Sequence, residues 1–215
     1  TMGEVAHADE DLLYRMFGVD AELLIDHAWG RESTTLEDIK KYQPRDTSVS
    51  SGQVLPRDYS FEEAKLVAKE MADVLCLDLV AKGLSTDSVT LHVGYSYRLE
   101  KKSAHGTIKL PTVTSSSRQI ISHTELLFER IVEKNAPVRR ISVTFNHVMD
   151  ELYRQYDLFT SPEDAEREHR LQKAILEIKE RFGKNAIVRG MDLQEGATAM
   201  ERNIQIGGHR SGKQN

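Results

Sequence analysis

The sequence predicts an α+β protein: a two-layer β-α-β-β-α-β domain, with a small helical segment before it and a helix and an extended tail after it. Three observations predict this fold. Apolar residues recur with strand and helix periods in that order along the chain. A capping box of Ser60 with Glu63 and a stop at Gly83 bracket the first helix of the domain. The 215 residues are 39% hydrophobic, which is enough for a core of ordinary size.

The sequence pattern of residues 1–33 predicts a pair of short helices. The apolar residues at positions 12, 13, 16 and 17 share one helical face, and Gly18 ends that helix. A second helix is expected from Ala21 to its stop at Gly30. Residues 34–50 are polar and carry Pro44 without a helical period, so they predict a linker.

Residues 51–150 predict the two-layer domain. Its first helix repeats apolar residues at helical spacing behind Ser60, and its second is expected over about residues 118–134. Alternating stretches predict strands at 53–55, 89–95, 107–110 and 140–146.

One face of this sheet is predicted to be polar. If Val89, Leu91 and Val93 turn toward the helices, alternation sends their neighbours to the other side. The residues expected there are Thr90, His92, Lys109, Arg140, Ser142, Thr144 and Asn146. Hydroxyls with interspersed cations suit a flat polyanion, but they equally suit the solvated side of any two-layer domain. The pattern leaves both interpretations open.

Residues 151–215 differ in character from the domain. Ser161-Pro162-Glu163 predicts the start of a helix that Gly183 ends, with an apolar stripe at positions 171, 175, 178 and 182. The last thirty or so residues contain several glycines and no sustained period. We expect them to be extended or partly disordered unless another surface orders them.

The charge of the chain is unevenly distributed. The net charge is −5, and residues 1–46 alone hold 11 acidic and 5 basic side chains. Residues 95–145 instead hold 9 basic and 4 acidic side chains. A locally positive centre is compatible with contact to phosphates.

Motifs for catalysis and metal binding are missing from the sequence. A single cysteine, Cys76, allows no internal disulfide and no cysteine-cluster zinc site, which favours a reducing cytoplasm. The sequence holds no His-Glu-x-x-His, no phosphate-binding glycine loop and no Gly-x-Ser-x-Gly. No apolar run approaches the ~20 residues of a membrane helix. We expect Cys76 to be a small core residue rather than a nucleophile, and this chain alone not to be an enzyme.

Three stretches resemble the Y-family (translesion) DNA polymerases of the UmuC-like bacterial branch: residues 48–59, 109–115 and 137–143. The predicted β-α-β-β-α-β order is similar to the little finger of that family. Residues 1–30 resemble the later part of its thumb, and residues 201–209 resemble the tail of its Gram-positive-type members. The resemblance covers nearly the whole chain. It implies a thumb remnant over residues 1–33, a little finger over 51–150, and a tail over 151–215.

The resemblance implies that this chain holds the backbone of primer–template DNA without reading its sequence. In the thumb, Gly18 and the helix start near Ala21 are expected to face a phosphate. Arg139 and Arg140 cannot both point outward from a regular strand, so one of them is expected to precede it. The expected DNA-binding residues of the little finger are Ser50, Ser51, Thr90, Lys109, Thr112, Thr114, Arg118, Arg139, Arg140, Ser142 and Thr144.

A short segment after the domain resembles the bacterial sliding-clamp-binding pentapeptide. It reads Gln155-Tyr156-Asp157-Leu158-Phe159, with Tyr156 where that motif usually has leucine. The resemblance implies that Leu158 and Phe159 fill an apolar pocket of a clamp while Gln155 makes polar contacts. The alternative is that Leu158 and Phe159 anchor the linker to the core.

The resemblance also implies what should lie elsewhere. The palm and fingers of the family, with the carboxylates that bind Mg²⁺ for nucleotidyl transfer, are expected to precede residue 1. We therefore expect no catalytic residue, metal or cofactor in these residues, and DNA polymerase activity only in a parent protein.

The role that the resemblance implies is error-prone translesion synthesis in DNA repair and damage tolerance, in the cytoplasm. Its expected partners are primer–template DNA, the sliding clamp and the palm and fingers domains of the same protein, with no membrane. The alternative is an autonomous split-βαβ module that binds nucleic acid or protein. A polymerase domain directly upstream in the same reading frame would distinguish the two.

Overall fold

A computed structural model describes residues 1–18, 20–32, 34–42, 47–151, 161–206 and 209–210. The chain forms two compact units, residues 1–45 and 46–215. The first unit holds four helices in its described residues: Met2–Ala6 (α1), Glu10–Phe17 (α2), Asp20–Ala28 (α3) and Leu36–Lys41 (α4).

The first unit confirms the predicted pair of helices. Helices α1 and α2 both contact α3, and Gly18 ends α2 with φ of 61°, in the region that favours glycine. Leu13 and Ala21 are the buried apolar residues of its described part. The predicted linker contains helix α4, which was not predicted because the linker sequence shows no helical period. It begins with a capping box of Thr35 and Asp38.

The second unit confirms the predicted β-α-β-β-α-β order. Its strands are Val49–Tyr59 (β1), Leu84–Tyr95 (β2), Ala104–Thr114 (β3) and Val138–Asn146 (β4). They pair antiparallel in the order β1-β4-β2-β3, so β4 lies between β1 and β2 in a split βαβ arrangement. A short strand, Met149–Asp150 (β5), pairs with the start of β2.

Helices Phe61–Lys82 (α5) and Ser117–Ile131 (α6) cover one face of the sheet. Strand β4 buries Ile141, Val143 and Phe145 completely against them, as the alternation predicts. Phe61 and Phe128 join the two helices, with ring centroids 5.2 Å apart. The buried apolar face of this core leaves the opposite face of the sheet for polar side chains.

The start of α5 is fixed by the capping box that the sequence predicts. Glu63 N donates to Ser60 Oγ, and the Glu63 carboxylate accepts from Ser60 N at 2.9 Å. Arg57 Nη2 adds an ion pair to the same carboxylate at 2.5 Å. The hydrogen bond from Arg57, helped by that from Ser60 N, lowers the pKa of Glu63 from 4.5 to about 2.

The tail is more ordered than its composition predicts, because it caps polar groups on the outer side of α5. Glu70 is 1% exposed, and its carboxylate accepts from Thr198 N at 2.8 Å and from Ala199 N at 3.3 Å. Asp73 lies one turn after Glu70 on α5, and its Oδ1 is 2.8 Å from Nη2 of Arg189 in the tail. The ordered parts of the tail are a 3₁₀ helix, Gly190–Leu193, a short α-helix, Ala199–Asn203, and the paired strands Gln205–Ile206 and His209–Arg210.

The helix before the tail, Pro162–Phe182 (α7), begins at the predicted cap Ser161 and ends at Gly183. Only the middle of its predicted apolar stripe is half-buried, at Ile175 and Ile178, since Leu171 is 60% and Phe182 is 74% exposed. The buried residues of α7 are His169 and Gln172, and Gln172 Nε2 donates to Ser115 O at 3.1 Å. Polar contacts therefore hold this helix together with the middle of its apolar stripe. Within the described ranges, no helix is long and apolar enough to cross a membrane.

The cap of α5 predicts a pH-dependent stability. Because the pKa of Glu63 is lowered, its contribution is present above pH 4.5 and is lost as the pH falls toward about 2. We expect Glu63→Gln to lower the free energy of unfolding at pH 7 by about 1 kcal/mol. Urea melts at pH 7 and pH 2.5 measure this, and the difference from wild type should shrink at the lower pH. An equal difference at both would contradict it.

The tail contact predicts a second stability effect. Removing the carboxylate of Glu70 leaves the amides of Thr198 and Ala199 without their acceptor, so Glu70→Ala should cost about 1–3 kcal/mol. Hydrogen exchange should also speed up in residues 185–206, read by mass spectrometry. Glu62→Ala is the matched control on the same helix, because that side chain is 75% exposed. Unchanged exchange in Glu70→Ala would show that the tail is held by other contacts.

Candidate nucleic-acid interface

The face of the sheet away from α5 and α6 is built of cross-strand rows. Thr90 lies opposite Thr144 on β4 and opposite Thr107 on β3, and Ser50 of β1 pairs with Thr144 in the same row. We call this surface the open face. It consists of Ser50, Gly52, Val54, Ser88, Thr90, His92, Gly94, His105, Thr107, Lys109, Arg140, Ser142, Thr144 and Asn146.

The hydroxyls of the open face fall into two groups. On the β2–β3 side they bond to one another: Thr90 Oγ1 lies 2.7 Å from Thr107 Oγ1 and accepts from Asn146 Nδ2 at 3.0 Å. On the β1–β4 side, the hydroxyls of Ser50, Ser142 and Thr144 form no hydrogen bond with other described residues. That side therefore has donors available to an external acceptor such as a phosphate oxygen.

The two arginines of β4 differ in their surroundings. Both lie within the strand, which corrects the expectation that one precedes it, and a bulge between β2 and β4 interrupts the alternation at this point. Arg139 Nη1 lies 3.8 Å from Asp58 Oδ1, whereas Arg140 is exposed and has no ion pair with the described residues. A side chain at Gly94 would meet Arg140 Cβ at 3.2 Å, so the glycine leaves room for Arg140.

The regular rows of the open face carry a positive charge, and Asp87, next to Ser88 on β2, interacts with Lys109 from outside these rows. Arg140 and Lys109 are exposed within them, and neither forms an ion pair with the described residues. No aspartate or glutamate lies in those rows among the residues that the structure describes. Six of the predicted DNA-binding residues meet on this surface: Ser50, Thr90, Lys109, Arg140, Ser142 and Thr144.

Ser51 lies on the other side of the sheet. It pairs with Val143, whose side chain is buried under the helices, and strand alternation separates it from Ser50. The open face therefore does not include the Ser51 side chain.

The predicted residues at the junction of β3 and α6 are in a different environment. Thr114 Oγ1 accepts from Ser116 N at 3.0 Å, and Thr112 Oγ1 is buried with no hydrogen-bond partner among the described residues. The amide of Arg118, in the first turn of α6, donates to Glu168 of α7 at 2.9 Å. The same carboxylate also accepts hydrogen bonds from the hydroxyls of Ser116 and Ser117. It therefore occupies the position at the start of α6 that a phosphate would need in order to bind the backbone amides there.

In the first unit, the predicted phosphate contact lacks a free amide at Ala21. Its N–H donates to Gly18 O at 3.1 Å, and the residue is completely buried. Because Gly18 has a positive φ, replacing it with valine strains the turn whether or not DNA binds there. The predicted clamp-binding segment, Gln155, Tyr156, Asp157, Leu158 and Phe159, lies outside the described residues.

Two residues of β3 on the open face, His105 and Thr107, were not predicted there, although strand alternation from Lys109 indicates them. His147, beyond the end of β4, was not predicted either, and its Nδ1 lies 2.8 Å from Asp87 Oδ1. Burial by itself would raise the pKa of Asp87, but hydrogen bonds from Ser88 and His147 outweigh it and lower that pKa.

The cysteine of the second unit has a structural role. Cys76 is completely buried in the core, and burial raises the pKa of its thiol well above the ordinary value, so the thiol stays protonated. The described parts of the chain contain no group of three or more histidine, cysteine or acidic residues that could hold a metal ion.

Comparison with known proteins gives one family match and several relatives. Residues 46–158 match the impB/mucB/samB family C-terminal domain. DNA polymerase IV 2 of Bacillus subtilis (strain 168) is 27% identical over 218 residues, which cover 97% of this chain and 50% of that protein. UvrX of the same organism, which is named for UV-damage repair, is 26% identical over 98% of this chain and 50% of its own length. The chain thus spans about half the length of these curated relatives.

Among solved structures, the chain is similar to the insertion ternary complex of Dbh DNA polymerase. It matches with a TM-score of 0.40 and 13% identity, over 70% of this chain and 42% of that chain. The family match covers more than half of the chain and contains the whole four-stranded sheet with α5 and α6. The chain therefore belongs to the impB/mucB/samB family, and its sequence is homologous to C-terminal regions of Y-family DNA polymerase IV proteins.

Proposed function

We propose that this chain is the DNA-holding C-terminal part of an error-prone translesion DNA polymerase that acts in DNA repair and damage tolerance. In this proposal the open face holds the backbone of primer–template DNA, and the activity of the whole protein is nucleotidyl transfer by a catalytic domain that uses Mg²⁺. The relatives named as DNA polymerases support the parent activity, and about half of their length corresponds to this chain.

The observation that carries the proposal is the composition of the open face. Free hydroxyls on β1 and β4 lie beside Arg140, and no carboxylate in the described rows opposes an incoming phosphate. Hydroxyls and single cations contact phosphate oxygens but do not read bases, as a protein that must accept any template requires. The described rows of this face contain no exposed phenylalanine or tyrosine pair of the kind on which RNA-recognition sheets stack bases.

Binding should depend on Arg140 more than on Arg139. Arg140→Ala removes an unpaired charge, so we expect roughly tenfold weaker binding to a primer–template at low salt. The slope of log affinity against log salt should fall by about 0.9. Arg139→Ala should change affinity less, because that side chain is already beside Asp58. Fluorescence anisotropy with labelled DNA measures both quantities.

The control for this comparison is Arg170→Ala, an exposed arginine on α7. Equal losses in all three variants would indicate a general charge effect rather than an interface at the open face. Full affinity and an unchanged salt slope in Arg140→Ala would contradict the proposed interface.

We also propose that residues 155–159 tether the protein to the bacterial sliding clamp. The sequence supports this, since Gln155 begins and Leu158-Phe159 ends a pentapeptide of the clamp-binding type. A weak, sequence-blind DNA contact gains from a tether, because the clamp raises the local concentration of the protein at the primer end.

The paired substitution Leu158→Ala and Phe159→Ala should abolish clamp binding in calorimetric titration, because it removes the apolar anchors. DNA affinity and the melting temperature should stay close to wild type. Leu171→Ala on α7 is the control, since this leucine is 60% exposed and lies outside the motif. Unchanged clamp affinity would disprove the tether, and a large drop in melting temperature would favour the anchoring role instead.

A further inference from the structure

Two imidazoles lie side by side on the open face. His92 of β2 and His105 of β3 are cross-strand partners, and their ring centroids are 6.3 Å apart. Both side chains are exposed. His92 also borders a depression of about 410 Å³, together with Gly52, Arg140 and Ser142.

The groups around this pair favour an anion. On β4, Ser142 lies directly opposite His92, and Arg140 lies opposite Gly94, two residues along β2. On β3, the next cation on the face is Lys109. Strand β1 contributes no titratable side chain to the face, since its residues there are Ser50, Gly52 and Val54. The pair therefore faces only cationic and neutral groups among the described residues.

A divalent cation is the other ligand that a histidine pair suggests. The guanidinium of Arg140 borders the same depression and would repel it. A stable metal site also needs further ligands, and the described part of the chain offers no group of three. A hydroxyl, a guanidinium and two ring N–H donors instead form a set that suits a phosphate.

We propose that His92 and His105 form a phosphate-binding site for the DNA backbone, and that this contact strengthens on protonation. The site rests on the proposed DNA-binding function of the open face. Imidazole side chains ordinarily gain their charge as the pH falls through about 6.5. Each positive charge of the protein that neutralises a phosphate releases counterions from the DNA. The slope of log affinity against log salt then becomes steeper by about 0.9. Guanidinium and ammonium groups ordinarily stay charged over this range, so the proposal assigns the pH-dependent part of the binding to the histidines.

One further imidazole borders the face and must be separated from the pair. His147 lies beyond β4 beside the carboxylate of Asp87, which would offset a charge gained there. Its φ of 47° makes asparagine the suitable replacement, because asparagine tolerates this conformation.

The test uses the full 215-residue chain and a fluorescent primer–template in salt titrations near pH 6 and pH 8. Wild type should bind roughly tenfold tighter near pH 6, with a salt slope steeper by up to about 1.8. The double variant His92→Gln with His105→Gln should lose both differences. His92→Lys with His105→Lys should show the steep slope at both pH values, because its charge is fixed.

Two control variants keep the histidine pair intact. His123→Gln on α6 and His147→Asn should retain the pH dependence of wild type. Circular dichroism melts show whether each variant folds, and the lysine variant tests the site even if the glutamine variant does not fold.

The outcomes separate this site from the proposed function on which it rests. If the glutamine variant keeps the pH-dependent slope while Arg140→Ala weakens binding, the histidine site is wrong and the DNA interface stands. If wild type binds DNA at neither pH, both are wrong. Calorimetric binding of zinc chloride by wild type but not by the glutamine variant would replace the phosphate site with a cation site.

Discussion

The register of β4 decides which residues the second unit presents to its surroundings. Ile141, Val143 and Phe145 are completely buried between the sheet and its two helices. Because side chains alternate along a strand, the same burial places Ser142 and Thr144 on the open face. A slip of one residue would move three large apolar side chains into water, at a cost of about 2 kcal/mol each. The packing of the core therefore holds the polar surface in place.

Helix α5 is buried on two sides, and its polar side explains the ordered tail. Its outer residues include Glu70 and Asp73, and burial raises the pKa of both carboxyls. A buried carboxylate is stable only when hydrogen-bonded or paired. Thr198 and Ala199 supply amides to Glu70, and Arg189 supplies a charge to Asp73. The tail and the outer side of α5 thus satisfy each other.

The sequence predicts those parts of the fold that depend on neighbouring residues. The cap at Ser60 and the periods of the strands and helices are local, and each element of the β-α-β-β-α-β order overlaps its predicted range, although the first three strands are longer than predicted. The tail was not predictable, because Thr198 finds its acceptor 128 residues away. The same applies to the candidate site. Alternation predicts the residues of the open face, but the bulge at Arg140 and the contact of Glu168 with α6 arise from tertiary packing.

The proposed surface suits weak binding more than tight binding. Its free hydroxyls give net stabilisation of about 1 kcal/mol or less each, and its regular rows hold only two cations among the described residues, Arg140 and Lys109. Such a contact holds any sequence and releases it readily, which a protein moving along DNA requires. Another contact must then keep the protein close to the primer end. Glu151 is the last described residue before the proposed clamp peptide, and a chain of four residues reaches at most about 14 Å. A clamp bound at Gln155 would therefore stay close to the end of the sheet, where a short tether gives a high effective concentration.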